Sequence, residues 1–310
     1  MLYYKYRSQQ NRRTAKMLTV TRRKSQQTSC TTKMLTVMRQ KSQQTSRTAK
    51  MLTGNYRYPS PTLTGDVARD IALIDRIIGV KIAVSDHRSS NISGEELARL
   101  ATEVRVSSML AGKAGLVVMH MGGGEQRMAP LFWALEPSNV PPETFLPTHC
   151  CRSPQLIRDA VRFNKMGGTI DFTADVAESE AGTAAAVYSA LQQGADPSRI
   201  TMSSDGCGSQ PVFDAHGACT GLTYSTPATL LQELRRMVCL NGISFDTALR
   251  FFTENPARVM GLAGIKGTLR PGADADLLAL DSGYAVTHLM ARGKPFVSFG
   301  KAVCKGTFEP

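Results

Sequence analysis

From Gly79 onward, strand-length apolar runs alternate with helical patterns, and this alternation limits the chain to few folds. The runs are 80–87 (VKIAVSDH), 116–120 (LVVMH), 144–149 (TFLPTH), 169–173 (TIDFT) and 199–205 (RITMSSD). Each is rich in Val, Ile, Thr or Phe, as strands are. Between them, Glu95 to Ala111 places apolar residues at Leu97, Leu100, Val104, Met109 and Leu110. Segments 156–166 and 184–193 read as helices too, stopped by Gly167-Gly168 and Gly194. Strand starts recur every 25–35 residues or so, the spacing of βα units around a parallel sheet.

Four of the five runs end in a residue that can bind metal or move protons: His87, His120, His149 and Asp205. Parallel barrels place their chemistry at the C-terminal strand ends. Histidines and carboxylates from several strand ends are how such a barrel assembles a catalytic zinc site. The plain alternative for any one histidine is a core or surface role. Lys81 interrupts an apolar strand, where a bare ammonium is costly to bury. It either snorkels to a carboxylate, or is carbamylated by carbon dioxide into an anionic oxygen ligand.

The tail carries a distinct pattern. Residues 254–262 read ENPARVMGL, and 266–281 read KGTLRPGADADLLALD. This resembles the C-terminal signature of the metal-dependent amidohydrolase superfamily. The segments 51–60 (MLTGNYRYPS), 79–90 (GVKIAVSDHRSS), 118–123 (VMHMGG), 146–152 (LPTHCCR), 167–175 (GGTIDFTAD), 203–211 (SSDGCGSQP) and 304–309 (CKGTFE) are similar to the isoaspartyl (β-aspartyl) dipeptidases within it. The resemblance runs from about residue 50 to 310.

It implies an α/β fold: a (β/α)8 TIM-type barrel, incomplete here, with a partial C-terminal β-sandwich. It also implies hydrolysis of β-aspartyl dipeptide amide bonds at a zinc centre, in a homo-oligomer. By motif, a carboxylated Lys81 would bridge two metals, His120 and His149 would ligate one zinc, and Asp205 the other. Asp205 would also be the general base. Tyr56 would donate to the oxyanion, and Arg88 and Arg152, assisted by Ser209, would hold the substrate carboxylates. The plain readings are a loop aromatic for Tyr56 and surface ion pairs for the arginines. Cys150 and Cys151 read as packed, reduced thiols, and Gly122-Gly123-Gly124 as a flexible loop.

One feature of the family pattern is missing. The family's first barrel strand ends in His-x-His, and the five histidines here (87, 120, 149, 216 and 288) form none. One zinc site would keep Lys81, His120 and His149. The other would keep only Lys81 and Asp205, so one zinc and weakened activity are expected. An inactive remnant of the enzyme is the alternative.

A 17-residue repeat stands where the opening strands would be. Ser8-Gln9-Gln10 recurs at 25–27 and 42–44, and Lys16-Met17-Leu18-Thr19 at 33–36 and 50–53. The period is short for a solenoid, and each copy offers only Met-Leu-Thr-Val as an apolar cluster. A disordered leader over 1–50 is expected, followed by the barrel over 51–262 and a β segment over 263–310. The net charge of +12 belongs to this leader: 14 of the 37 Lys and Arg lie in residues 1–57, which hold no Asp or Glu. The remainder has 23 basic and 25 acidic residues, so no nucleic-acid partner is expected for the body. An acid-free leader could also be a transit peptide or a phosphate-backbone binder. No run approaches the roughly 18 apolar residues of a membrane span. Seven scattered cysteines without a CxxC fit a reducing, cytoplasmic setting.

Overall fold

The computed structural model describes residues 33–35, 49–174, 182–214 and 219–304. The chain divides into two compact units, one of Gln40–Ala263 and one of Met1–Arg39 with Gly264–Pro310.

The second of these is an antiparallel sheet. Its strands are β1 (Lys33–Leu35) and four from the C-terminal segment, in the order β1, Leu277–Leu280, Val286–Ala291, Lys294–Ser298, Lys301–Ala302. Within the segment expected to be a disordered leader, the backbone of Lys33–Leu35 pairs with Leu278–Leu280. An unpaired edge strand exposes a row of N–H and C=O groups, and this pairing covers it. The rest of 1–48 lies outside the described residues.

The Gln40–Ala263 unit alternates strand and helix, as the periodicity predicts. In chain order come β2 (Met51–Gly54), α1 (Val67–Leu73), β3 (Ile77–Val84), α2 (Gly94–Leu110), β4 (Leu116–Met121), α3 (Ala129–Leu135), β5 (Phe145–Thr148), α4 (Pro154–Lys165), β6 (Ile170–Thr173), α5 (Gly182–Gln192) and β7 (Ile200–Ser203). The hairpin β8 (Ser209–Phe213) and β9 (Cys219–Tyr224) follows, then α6 (Thr229–Cys239), α7 (Phe245–Phe252) and α8 (Glu254–Val259). Strands β2 to β5 form one parallel sheet and β6 with β7 a second. This is a partial (β/α) barrel.

Local chemistry explains the boundaries. Ser93 caps α2, and Glu96 returns the bond to the Ser93 backbone, a capping box. Ser153 caps α4, with Pro154 in its first turn. Leu97, Leu100 and Val104 are buried as predicted, but Met109 and Leu110 at the end of α2 are exposed.

Strand side chains alternate between faces. On β3 to β7 the outer set is fully enclosed: Val80, Ile82, Val117, Met119, Phe145, Ile170, Phe172 and Ile200. The register places Gly54, Lys81, Val118 and Leu146 in one inner row. Ala83, His120 and Thr148 form the next row toward the C-terminal ends. The lower row is only half-buried and the upper one is buried, so the polar residues of the upper row are the ones enclosed. Gly54, at φ 82°, permits the close approach of β2 to β3: a Cβ there would stand 2.6 Å from the Lys81 carbonyl oxygen. Beyond β2, Asp70 is fully buried and accepts from the Thr53 hydroxyl, the Leu63 and Thr64 amides and the Thr64 hydroxyl. That carboxylate pins the end of the loop that carries Tyr56.

Candidate metal centre

Two imidazoles meet at the C-terminal ends of β4 and β5. His120 lies on β4 opposite Thr148, and His149 follows β5 directly. Their ring centroids are 4.4 Å apart, and both are buried. His149 adopts φ 65° and Asp205, after β7, φ 46°. Left-handed backbone costs a non-glycine residue of order 1 kcal/mol, and such strain collects at functional positions.

Around the pair stand three other residues singled out by sequence. The Tyr56 ring lies 4.9 Å from that of His120, centroid to centroid. Arg88 lies over the Tyr56 ring at 4.5 Å, and the Lys81 ammonium is 5.8 Å from its centre. Asp205 and Arg152 act at longer range: the charge of Asp205 is felt at Arg88 and His149, and that of exposed Arg152 at both histidines. Ser209 opens β8, and its side chain lies outside what is described.

Each histidine has one nitrogen engaged and one without a partner. His120 Nε2 lies 3.1 Å from Asp86 Oδ2, and His149 Nδ1 lies 2.8 Å from the Thr173 hydroxyl. His120 Nδ1 and His149 Nε2 are buried with no hydrogen-bond partner. Burial, followed by His149 and Arg152, pushes His120 down to about 3; burial and then Arg152 push His149 down to about 4. Both rings are therefore neutral at pH 7, with one N–H and one lone pair each. A His120 N–H donated to Asp86 leaves Nδ1 a bare lone pair. The reverse tautomer buries an N–H with no acceptor, at about 1–3 kcal/mol. Two enclosed imidazole lone pairs at a strand-end cluster suit a borderline-soft cation such as zinc.

Three expectations change. His87 is not part of the site: its side chain is 84% exposed, because β3 ends at Val84 and Ser85, at φ 53°, breaks the alternation. Asp86 takes the inward place instead. Arg88 is not a free fork. Its Nε and Nη2 donate to Asp86 at 2.9 and 3.0 Å, and Nη2 lies 3.1 Å from His120 Nε2. That grip, through the Arg88 hydrogen bonds above all, holds the Asp86 carboxyl well below the usual range. The loop after β4 is also tied down. Gly122 N donates to Val84 O and Gly124 N to Ser85 O, and a Cβ on Gly122 would stand 2.3 Å from the Ser85 oxygen. Among the described residues, no three His, Cys, Asp or Glu side chains converge as a metal cluster, so a metal at the His pair would need further ligands from Lys81 or from groups brought in with it. Cys150 does not serve, since burial pushes its thiol up and it bonds to the Pro147 carbonyl.

Sequence reading passed over Asp171. It is buried on β6 and receives the hydroxyls of Thr148, Thr201 and Ser203. Burial raises its carboxyl to about 6 despite those bonds.

These groups set an acid limit on stability. Between pH 6.5 and 4, the unfolded chain protonates two histidines that the native chain keeps neutral, so stability falls as pH drops. Asp171 acts oppositely from about pH 6 down to 3.8, taking up its proton in the native state first. Two groups against one leave a net loss. The urea midpoint of the metal-free chain is expected to be lower at pH 5 than at pH 7, and an equal or higher midpoint would contradict this.

The amidohydrolase family model matches residues 135–297. The β-aspartyl dipeptidase of Fervidobacterium islandicum AW-1, solved with β-Asp-Leu dipeptide, is 37% identical with a TM-score of 0.76; the match covers 84% of this chain and 68% of that one. A second structure of that enzyme gives 34% identity, a TM-score of 0.74, and coverage of 84% and 66%. The putative N-acetylgalactosamine-6-phosphate deacetylase of Escherichia coli K12 is 36% identical over 83 residues, 27% of this chain and 47% of that protein. The chain thus spans less than half the length of the curated relatives it matches. With a family model over more than half its length, and a dipeptidase structure matched in sequence and fold together, the chain belongs to the amidohydrolase family, in its β-aspartyl dipeptidase branch.

Proposed function

We propose that the chain hydrolyses the amide bond of β-aspartyl dipeptides at a single zinc held by Lys81, His120 and His149. The observation that carries this is the facing pair of neutral, buried imidazoles, each with an unpartnered nitrogen. Lys81, on the inner face of β3 beside them, would bind as its carbamate, formed with carbon dioxide. Zinc, when bound, supplies Lewis acidity to the scissile carbonyl and acidifies water. A second zinc would have only Lys81 and Asp205 in this sequence.

The chain's own residues do the rest. Tyr56, held between Arg88 and His120, donates its O–H to the oxygen on which negative charge develops. Asp205 takes the proton of the attacking water and delivers it to the leaving amine. A β-aspartyl dipeptide carries two carboxylates. Arg152 binds one, and Arg88 offers its Nη1 edge to the other while Asp86 holds its Nε and Nη2. Ser209 assists. Asp86 therefore orients a substrate-binding arginine and a metal-binding histidine with one carboxylate. A homo-oligomer and a cytoplasmic setting complete the proposal. The thiols of Cys150, Cys151, Cys207 and Cys239, none of them in a disulfide, support the latter; among the described residues no helix is long and apolar enough to cross a membrane.

The test is hydrolysis of β-Asp-Leu and of α-Asp-Leu by the zinc-loaded full chain. Release of leucine from the β isomer alone is expected. Zinc-loaded protein that cleaves neither, or prefers the α isomer, would overturn the reading.

A further inference from the structure

A chain of hydroxyls links the buried Asp171 to His149. Asp171 and Thr173 share one face of β6, and the register sets Thr201 beside Asp171 and Ser203 beside Thr173. Asp171 Oδ2 lies 2.7 Å from Thr148 Oγ1 and 2.6 Å from Ser203 Oγ, and Oδ1 lies 2.7 Å from Thr201 Oγ1. An ionised carboxylate can only accept, so these three hydroxyl hydrogens all go to Asp171. Each hydroxyl has one hydrogen. Thr148 and Ser203 can therefore only accept from Thr173, whose Oγ1 is 3.4 Å from both. With its single hydrogen sent that way, Thr173 presents a lone pair to His149 Nδ1 at 2.8 Å. His149 must then carry its proton on Nδ1, and its buried, unpartnered Nε2 is bare.

We infer that Asp171, acting through Thr173, fixes the Nδ1–H tautomer of His149 and keeps Nε2 as a lone pair for the metal. Both are positioning residues, and the inference deepens the reading of His149 as a zinc ligand. The directions at Thr148, Thr201 and Ser203 follow from the acceptor-only end at Asp171, and the direction at His149 follows from its partnerless, buried Nε2. The Asp171 carboxyl, raised to about 6, is still ionised at pH 7. The opposite direction would enclose an Nε2–H with no acceptor.

The test uses the full chain, uniformly labelled with nitrogen-15 and metal-free, at pH 7.5. Imidazole nitrogen spectra report the tautomer, with His149 assigned by the signals lost in His149→Gln. The unaltered chain and Thr173→Ser are expected to show His149 as Nδ1–H. Thr173→Val, which keeps the volume but removes the hydroxyl, is expected to move it toward Nε2–H. Zinc affinity, read by chelator competition, should fall about 10–100-fold in Thr173→Val and recover in Thr173→Ser. Asp171→Asn, which donates as well as accepts, should shift the tautomer in the same direction as Thr173→Val. His149 found as Nε2–H in the unaltered chain, or a Thr173→Val chain with unchanged tautomer and affinity, would overturn the inference. An unaltered chain with the Nδ1–H tautomer but no zinc affinity would instead overturn the zinc reading and leave the relay standing.

Discussion

Asp205→Asn is expected to lower kcat on β-Asp-Leu by about 10²–10⁴-fold, the range for loss of a positioned general base. The carboxamide nearly matches the carboxylate in shape but cannot take the proton of the attacking water. Zinc per chain should not change, because the retained metal rests on Lys81, His120 and His149. The measurement is steady-state kinetics from pH 5 to 9, with zinc content determined on the same preparations. A loss below tenfold would remove Asp205 from the proton-transfer role. A parallel loss of zinc would make it a ligand of the retained metal.

The second large effect concerns Tyr56. Tyr56→Phe deletes one O–H and keeps the ring that packs against His120 and lies under Arg88. A donor aimed at a developing oxyanion contributes about 10²–10³-fold in kcat. That loss is expected in kcat with little change in KM, because the bond strengthens only as charge appears on the carbonyl oxygen. A rise in KM at constant kcat would instead place Tyr56 in ground-state binding. Unchanged kinetics would mean a loop aromatic, the plainer reading of this residue.

Much of the fold could be read from periodicity. The runs around residues 80, 116, 145, 170 and 200 are strands, and the intervening apolar stripes are helices, since burial of one face imposes both patterns. The row of Lys81, Val118 and Leu146 could not be read, because it needs the register between strands. His87 was a natural candidate because a strand reaching residue 87 would leave it at the functional end. The left-handed turn at Ser85 hands the inward place to Asp86, and no local residue pattern encodes that turn. Asp171 was within reach. It is a carboxylate inside an apolar strand, the same signal that marked Lys81. Its hydroxyl partners come from β5 and β7 and become visible only once those strands stand on either side of β6. The pairing of Lys33–Leu35 with Leu278–Leu280 lay beyond composition, because the repeat carries no sign of the edge it covers.

The central claim is that the His120–His149 pair is a metal centre, and zinc per chain tests it most directly. Elemental analysis of the purified full chain, dialysed against zinc-free buffer, should give about one zinc, lost in both His120→Gln and His149→Gln. No zinc in the unaltered chain, or one zinc retained by both variants, would contradict the account.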